Sequence, residues 1–463
     1  MEGADLAFAG IACQAELIRG GEVSSRELVE LYLARIEAIG PRVNAFTEVL
    51  AERALTEAEE ADRGGEGSLR GVPIAIKDVE DVRGVVTQFG TGAFDRPAAA
   101  DGELVQRLRA AGAVIIGKTT LPELAICAFT ESQRWGITRN PWDTQRSPGG
   151  SSGGSGAAVA AGLVGAASAS DGGGSIRIPA AFCGLFGLKP QRGRLPLTPA
   201  DHWWGLSVHG CLTRTVLDTA LFLDATADHG AAADGPRSER PYVEAARTRA
   251  PRLRIAISDR PARLIAPPIV TDEVRGALAE TEALLRGLGH RVERRDPRHG
   301  LAGNNFVPRY LRGAHDDVAH VPHPERLEPR TRGFARLGGL YLPALVRLMR
   351  RTADEDAERI NRVFDHCDVL ITPTVGEPPI EVGRWRGKGA LQTVLGMSRT
   401  YCFTPVWNHT GQPAAAVPAG FSDAGLPLSV SLVGRPHDEP TLLSLAAEIE
   451  AERPWADRRP PVS

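Results

Sequence analysis

Two serine-bearing glycine clusters are the parts of this chain best suited to chemistry: GGSSGGSG at 149–156 and DGGGSIR at 171–177, on either side of an Ala-rich run. Glycines allow positive-φ backbone and leave amide N–H groups bare toward a developing oxyanion, both of which serve acyl transfer. Gly172, Gly173, Gly174 and Ser175 are candidate donors of this kind. A flexible loop would share the composition, but these glycines run straight into Ile176, Arg177, Ile178 and Pro179, as a turn set into a core does. A serine hydroxyl is a poor nucleophile near neutral pH and needs a base. Lys77 follows the apolar run 72–76, where desolvation would depress its pKa, and Asp78 beside it would oppose that effect if it approached.

The elements that must position these residues alternate in type. Ser24 and Glu27 fit a capping box, Leu28, Tyr32, Ile36 and Ile39 follow at helical spacing, and Gly40 with Pro41 is expected to end that helix. Apolar runs at 72–76 and 113–116 predict buried strands on either side of a helix near 104–110. Further strands are expected at 253–258, 369–372 and 429–433, with a helix carrying Val274, Leu278, Thr281, Leu285 and Leu288 and another at 439–450. This alternation predicts an α/β fold. Residues 294–332, rich in Arg, Pro and His and showing little periodicity, are expected to form a surface excursion that lines or covers a cleft.

Composition narrows the function. The chain has 463 residues, with 54 Lys plus Arg against 57 Asp plus Glu, so a nucleic-acid partner is not expected. Its six cysteines form no CxxC pair, which suggests neither a disulfide framework nor a zinc site and favours a reducing cytoplasm. Glu2 and Asp5 stand where a secretory signal carries basic residues. Residues 147–170 are uncharged and long enough to span a bilayer, but Gly, Ala and Ser dominate them, so close backbone packing is expected rather than a membrane helix.

The stretch from Gly149 to Pro190 resembles the core signature of the amidase signature family in motif and spacing. Similar elements extend over most of the chain: GVPIAIKD at 71–78, GAVIIGKT at 112–119, ITPT at 371–374, NHTGQPAAAVPAG at 408–420 and GLPLSVSLVG at 425–434. The resemblance implies one α/β domain over 1–463, with a signature core about 71–215 and a mixed central sheet covered by helices on both faces. It implies a triad of Ser175 as nucleophile, Ser151 as a bridging serine after a cis peptide bond, and Lys77 as base, with Gly172, Gly173 and Gly174 forming the oxyanion hole. The sequence departs from the commonest family pattern at Gly172, where a larger residue is frequent, and at Ser431, where a Gln is frequent.

Three motifs invite other readings. GAVIIGKT satisfies the phosphate-loop pattern, but 113–116 is a bulky strand and Pro122 follows Lys118 closely, so Lys118 is expected to be structural. Gly150–Gly154 fits G-x-S-x-G around Ser152, the elbow of a Ser-His-Asp esterase, yet no strand precedes it. His315, Asp316, His320 and His323 have no regular one-face metal spacing and are expected in a solvated loop. Trp203 and Trp204 are expected to divide between packing and capping the surface, or to wall the acyl pocket together with Cys127. Arg177 is expected to tie the oxyanion turn to Asp171, with orientation of the substrate as the alternative.

The resulting expectation is a hydrolase of amide-type C–N bonds in amides, anilides or carbamates, with side esterase activity, acting through an acyl-enzyme on Ser175 without cofactor or metal. Its partner is a small-molecule amide or carbamate, with no nucleic acid and no membrane, and a homodimer is compatible with the family. The tryptophans and the apolar segment 340–348 favour hydrophobic or aryl acyl groups. A glutamine amidotransferase catalytic subunit, working in a complex, is the alternative within the resemblance.

Overall fold

Ile74, Ala75 and Ile76 are buried completely, and a strand covered on both faces must be apolar throughout. The computed structural model describes residues 3–227 and 240–463, so Glu2 lies outside it. In chain order the central strands are β1 (Phe46–Val49), β2 (Pro73–Lys77), β3 (Val114–Thr119), β4 (Ala166–Asp171), β5 (Gly187–Lys189), β6 (Val208–Thr213), β7 (Arg254–Ile257), β8 (Arg291–Arg294), β9 (Val369–Pro373), β10 (Ala414–Phe421) and β11 (Pro427–Val433). A five-stranded sheet runs β1-β3-β2-β4-β6, and a six-stranded sheet runs β8-β7-β9-β11-β10-β5. They join where Phe186 and Thr213 exchange backbone hydrogen bonds of 3.1 and 3.3 Å, between β5 and β6.

The sheet is mixed. β2 pairs in parallel with β3 and β4, and β7 in parallel with β8 and β9, while the outer and C-terminal pairings are antiparallel. The α/β class expected from the sequence is therefore the class observed, and the central strands and the 439–450 helix lie where expected, the latter as Glu439–Glu452.

The Ala-rich segment packs as its composition requires. Every residue of the Gly153–Ala160 helix is buried. A Cβ on Gly156 would lie 3.1 Å from Pro179 Cβ and 3.3 Å from Cys183 Sγ, so the absence of a side chain there lets this helix pack against the Arg177–Cys183 helix.

Two expectations fail. The first helix, Ser25–Val43, does not end at Gly40 and Pro41. It runs through both and stops at Asn44, which has φ 53° and donates its N–H to the Gly40 carbonyl at 2.8 Å. Pro41 removes one donor within the last turn, where a helix tolerates the loss. The stretch 294–332 is not an aperiodic excursion. It begins in β8, and it holds an 18-residue helix, Ala302–Ala319, and the start of another, Pro329–Gly339. Phe306, Val307, Tyr310, Leu311 and Ala314 form the buried stripe of the first helix. Pro308, the buried Arg309, Gly303 and Gly313 interrupt that stripe in the sequence and hide its period. No helix among the described residues is long and apolar enough to cross a membrane.

The GAVIIGKT segment is structural, as expected. It ends β3, and only a three-residue turn of helix follows, at Glu123–Ala125. Lys118 is fully buried, forms an ion pair with Asp78 at 2.7 Å and donates to Thr87 Oγ1 at 2.9 Å. Removing one partner of such a pair leaves the other charge buried alone, which typically costs about 3–5 kcal/mol. Lys118→Met is expected to lower the unfolding free energy in urea by about that amount, and a loss below about 1 kcal/mol would show that Asp78 does not depend on this partner.

Candidate active site

β2 delivers Lys77 into the interior. Its backbone N–H donates to Ser168 Oγ at 2.8 Å, and its ammonium donates to Ser151 Oγ and to Ser170 Oγ, both at 2.8 Å. Burial lowers its pKa to about 7, against the opposing pull of Asp171 and Glu80. Near neutrality a substantial fraction of Lys77 is therefore an unprotonated amine able to take a proton from Ser151.

Ser151 follows a cis peptide bond to Gly150. A Cβ on Gly150 would lie 2.8 Å from the Ala128 carbonyl carbon, so glycine is what fits there. Lys77, Ser151 and Ser175 converge: Ser151 and Ser175 line one cleft, and Lys77 stands directly behind Ser151.

The turn 171–175 is tied down from several sides. Asp171 accepts Arg177 Nε and one terminal nitrogen, each at 3.0 Å, together with the N–H groups of Gly174 (2.6 Å) and Ile176 (3.1 Å). Asn408 Nδ2 reaches the Asp171 carbonyl and carboxylate, both at 2.8 Å. Arg177 also donates to the Thr404 carbonyl at 2.9 Å, and Thr404 Oγ1 donates to the Gly173 carbonyl at 2.8 Å. Burial alone would raise the Asp171 pKa, but Arg177 outweighs it and holds the carboxylate at about 2. Arg177 thus has the tethering role expected of it. Of the three glycines expected to bind an oxyanion, Gly174 already donates its amide to Asp171, which leaves Gly172 and Gly173 as the glycine amides that border the cavities.

Ser175 stands between two cavities. A cleft of about 740 Å³ is lined by Ser151, Ser170, Gly172 and Ser175 on its reactive side and by Glu80, Asp81, Asp201, Asp316 and Asp317 elsewhere. A chamber of about 70 Å³ is lined by Gly173, Ser175, Ile126, Phe306, Tyr310, Met397 and Tyr401. Trp203 borders both, and Trp204 borders the cleft alone. Trp203 is buried and Trp204 half-buried, so the two indoles divide as expected and also reach the site.

Other expected residues fall elsewhere. Cys127 lines neither cavity, although Ile126 and Ala128 line the chamber, and burial pushes its thiol up to about 12 beside Arg330. In the segment 340–348, Leu340 is 76 %, Leu342 69 %, Leu345 40 % and Leu348 56 % exposed, so it does not shape the acyl pocket. Ser152 Oγ turns to the Ser170 carbonyl at 3.2 Å, away from both cavities. His315, Asp316 and His320 sit on or at the end of the Ala302–Ala319 helix rather than in a loop. His315 and His320 bond to the Ala335 and Asp316 carbonyls, and His323 pairs with Asp95.

Sequence reasoning missed several participants. Ser168 and Ser170 alternate on β4 and face Lys77, a period-two signal that was readable. Thr404, Asn408 and the buried His209–Glu80 pair (2.8 Å) carried no local signature. Both His209 nitrogens face acceptors, the Pro196 carbonyl and Glu80; burial lowers its pKa, but Glu80 prevails and the net shift is upward.

A family model described as Amidase matches residues 27–443. A relative in Mycobacterium tuberculosis named "Putative amidase AmiB2" is 49 % identical over 470 residues, covering all of both chains. Among solved structures, a 6-aminohexanoate cyclic dimer hydrolase superposes with a TM-score of 0.89 at 32 % identity, over 98 % of this chain and 99 % of that one. A peptide amidase from Stenotrophomonas maltophilia superposes with a TM-score of 0.80 at 27 % identity, over 98 % of each chain.

Among the described residues no carboxylate contacts the Lys77 amine, which gives a direct expectation. In protein labelled with 15N at lysine Nζ, one ammonium resonance, lost in Lys77→Met, is expected to titrate near pH 7. A midpoint close to the ordinary lysine value, about 10.4, would contradict the burial effect.

Proposed function

The chain belongs to the amidase signature family and hydrolyses amide C–N bonds, and we propose that it does so through an acyl-enzyme on Ser175. The observation that carries this reading is the 2.8 Å contact between Lys77 Nζ and Ser151 Oγ, with the lysine held near pKa 7. Ser175 Oγ attacks the substrate carbonyl and passes its proton to Ser151, whose own proton moves to the neutral Lys77 amine. The oxyanion forms against the Gly172 and Gly173 amides. Ser151 then protonates the leaving nitrogen, the tetrahedral intermediate collapses, and water releases the acyl group from Ser175 by the same proton route.

Geometry assigns the two cavities. The leaving nitrogen must face Ser151, which lines only the wide cleft, so the amine part of the substrate lies there and the acyl part lies in the apolar chamber. Among the described residues lining the cleft there are six Asp or Glu and no Lys or Arg, which favours amines bearing a further positive charge over anionic ones. Carbamates and esters present the same carbonyl to Ser175 and enter the same sequence of steps. The two structural neighbours are named as a cyclic dimer hydrolase and a peptide amidase, which supports a fold that serves more than one kind of amide.

Labelling with a serine-directed fluorophosphonate is expected at Ser175, to vanish in Ser175→Ala, to persist in Ser152→Ala and to slow at least about a hundredfold in Lys77→Ala. Label on Ser152 would move the protein to the esterase elbow, and no label would remove the acyl-enzyme. Because only neutral Lys77 accepts the proton, kcat/KM for an anilide is expected to be flat above about pH 7 and to fall about tenfold per unit below it. A profile flat from pH 5 to 9 would exclude Lys77 as the base.

A further inference from the structure

Among the described residues, Trp203 is the single aromatic ring that borders both the wide cleft and the apolar chamber. Its seat is unusually specific. A Cβ on Gly172 would lie 2.9 Å from Trp203 Cε3 and 3.0 Å from Cζ3, and a Cβ on Gly313 would lie 2.6 Å from Cδ1 and Cγ. The indole therefore occupies a slot whose two walls, the oxyanion turn and the Ala302–Ala319 helix, both lack side chains. Any larger residue at either position would have to displace the ring.

The ring is also fixed at its polar edge. Nε1 donates to Asp317 Oδ2 at 2.6 Å, and the other oxygen of Asp317 faces His202 Nε2 at 3.2 Å. His202 stacks on the indole with centroids 5.6 Å apart, and Tyr310 meets it edge-on at 5.4 Å. The backbone is held as well. Trp203 and Trp204 both have positive φ, 51° and 58°, and the Trp204 carbonyl accepts two N–H groups of the buried Arg309, at 2.7 and 3.2 Å. A bulky residue in the left-handed region persists only when its surroundings over-determine it.

We propose that Trp203 is the specificity-determining partition of the site, closing the apolar chamber against the open cleft and thereby limiting the acyl group that Ser175 carries, with Asp317 as the positioning residue that holds it. The inference rests on the acyl-enzyme reading above. A chamber of about 70 Å³ is less than half the roughly 150 Å³ of an apolar cavity that admits benzene, so with Trp203 seated it favours short aliphatic acyl groups over aryl ones.

The test is the ratio of kcat/KM for benzoyl p-nitroanilide to that for acetyl p-nitroanilide, with fluorophosphonate labelling of Ser175 measured on every variant. Trp203→Ala, which removes the partition, and Gly313→Ala, which displaces it without touching the oxyanion turn, are each expected to raise the ratio at least about tenfold. Asp317→Leu is expected to move it in the same direction, whereas Asp317→Asn, which keeps an oxygen for the indole N–H, is expected to leave it close to wild type. A ratio within about twofold of wild type in Trp203→Ala and Gly313→Ala, with Ser175 still labelled at the normal rate, would overturn the proposal and leave the acyl-enzyme intact. If Trp203→Ala does not fold by circular dichroism, Gly313→Ala decides. Failure of the wild type to label at Ser175 would overturn the acyl-enzyme reading itself, a result distinct from an unchanged ratio.

Discussion

A lysine buried completely, with no carboxylate among the described residues in contact with it, is the constraint on which the site depends. An opposite charge within a few ångströms favours the charged form by one to three pKa units, which would keep Lys77 protonated and useless as a base. Asp171 and Glu80 both pull Lys77 toward its charged form, and these two and Asp78 are each paired with another side chain. Asp78, the neighbour in sequence, pairs with Lys118 at 2.7 Å. Asp171 pairs with Arg177 at 3.0 Å, and Glu80 with His209 at 2.8 Å. Lys77 is left with the hydroxyls of Ser151 and Ser170, which hydrogen-bond to an amine or an ammonium without fixing its charge. The buried ion pairs around the site are thus best understood as electrostatic insulation of one amine.

That arrangement also explains why the strand order matters. β2 ends at Lys77, and Asp78 opens the turn that follows it. β3 lies on one side of β2 and supplies Lys118 to Asp78; β4 lies on the other and supplies Ser168 and Ser170 to Lys77. Parallel pairing on both sides brings the ends of all three strands to the same edge, where α/β sheets place their ligands. The phosphate-loop look-alike at the end of β3 is therefore a by-product of needing a lysine at that position in a strand that ends beside the site.

What could be read from the sequence was what is local. The buried strands, the capped helices and the glycine clusters announce themselves within a few residues, and the resemblance to the amidase signature family attached roles to Lys77, Ser151 and Ser175. The Ala302–Ala319 helix escaped because Pro308, Arg309 and two glycines break the apolar period, and each of the latter three has a distant reason to be there. Arg309 holds the Trp204 carbonyl, Gly313 makes room for Trp203, and a Cβ on Gly303 would run into the backbone of Arg263. Cys127 was misplaced for the opposite reason: its neighbours in sequence line the chamber, and a one-residue step turns its own side chain away. Nothing local distinguishes these cases.

The oxyanion turn shows most clearly where local reading stops. DGGGS suggests a backbone needing conformational freedom, yet only Gly174 among its three glycines has a positive φ, at 133°. The other two are small because of what approaches them. A Cβ on Gly172 would meet Trp203, one on Gly173 would come to 3.0 Å from Phe306 Cζ, and one on Gly174 would run into Thr404 Oγ1. Those three neighbours come from the short His202–Gly205 helical turn, from the helix the sequence concealed, and from the start of the Pro405–Thr410 helix. The departure at Gly172 is accordingly one half of a pair whose other half is Trp203. A chain with a larger residue at 172 could not seat this indole, and its two cavities would be separated by something else or not at all. Selectivity in this site is thus set by the packing of the turn against distant elements, while the reactive groups on the turn stay the same.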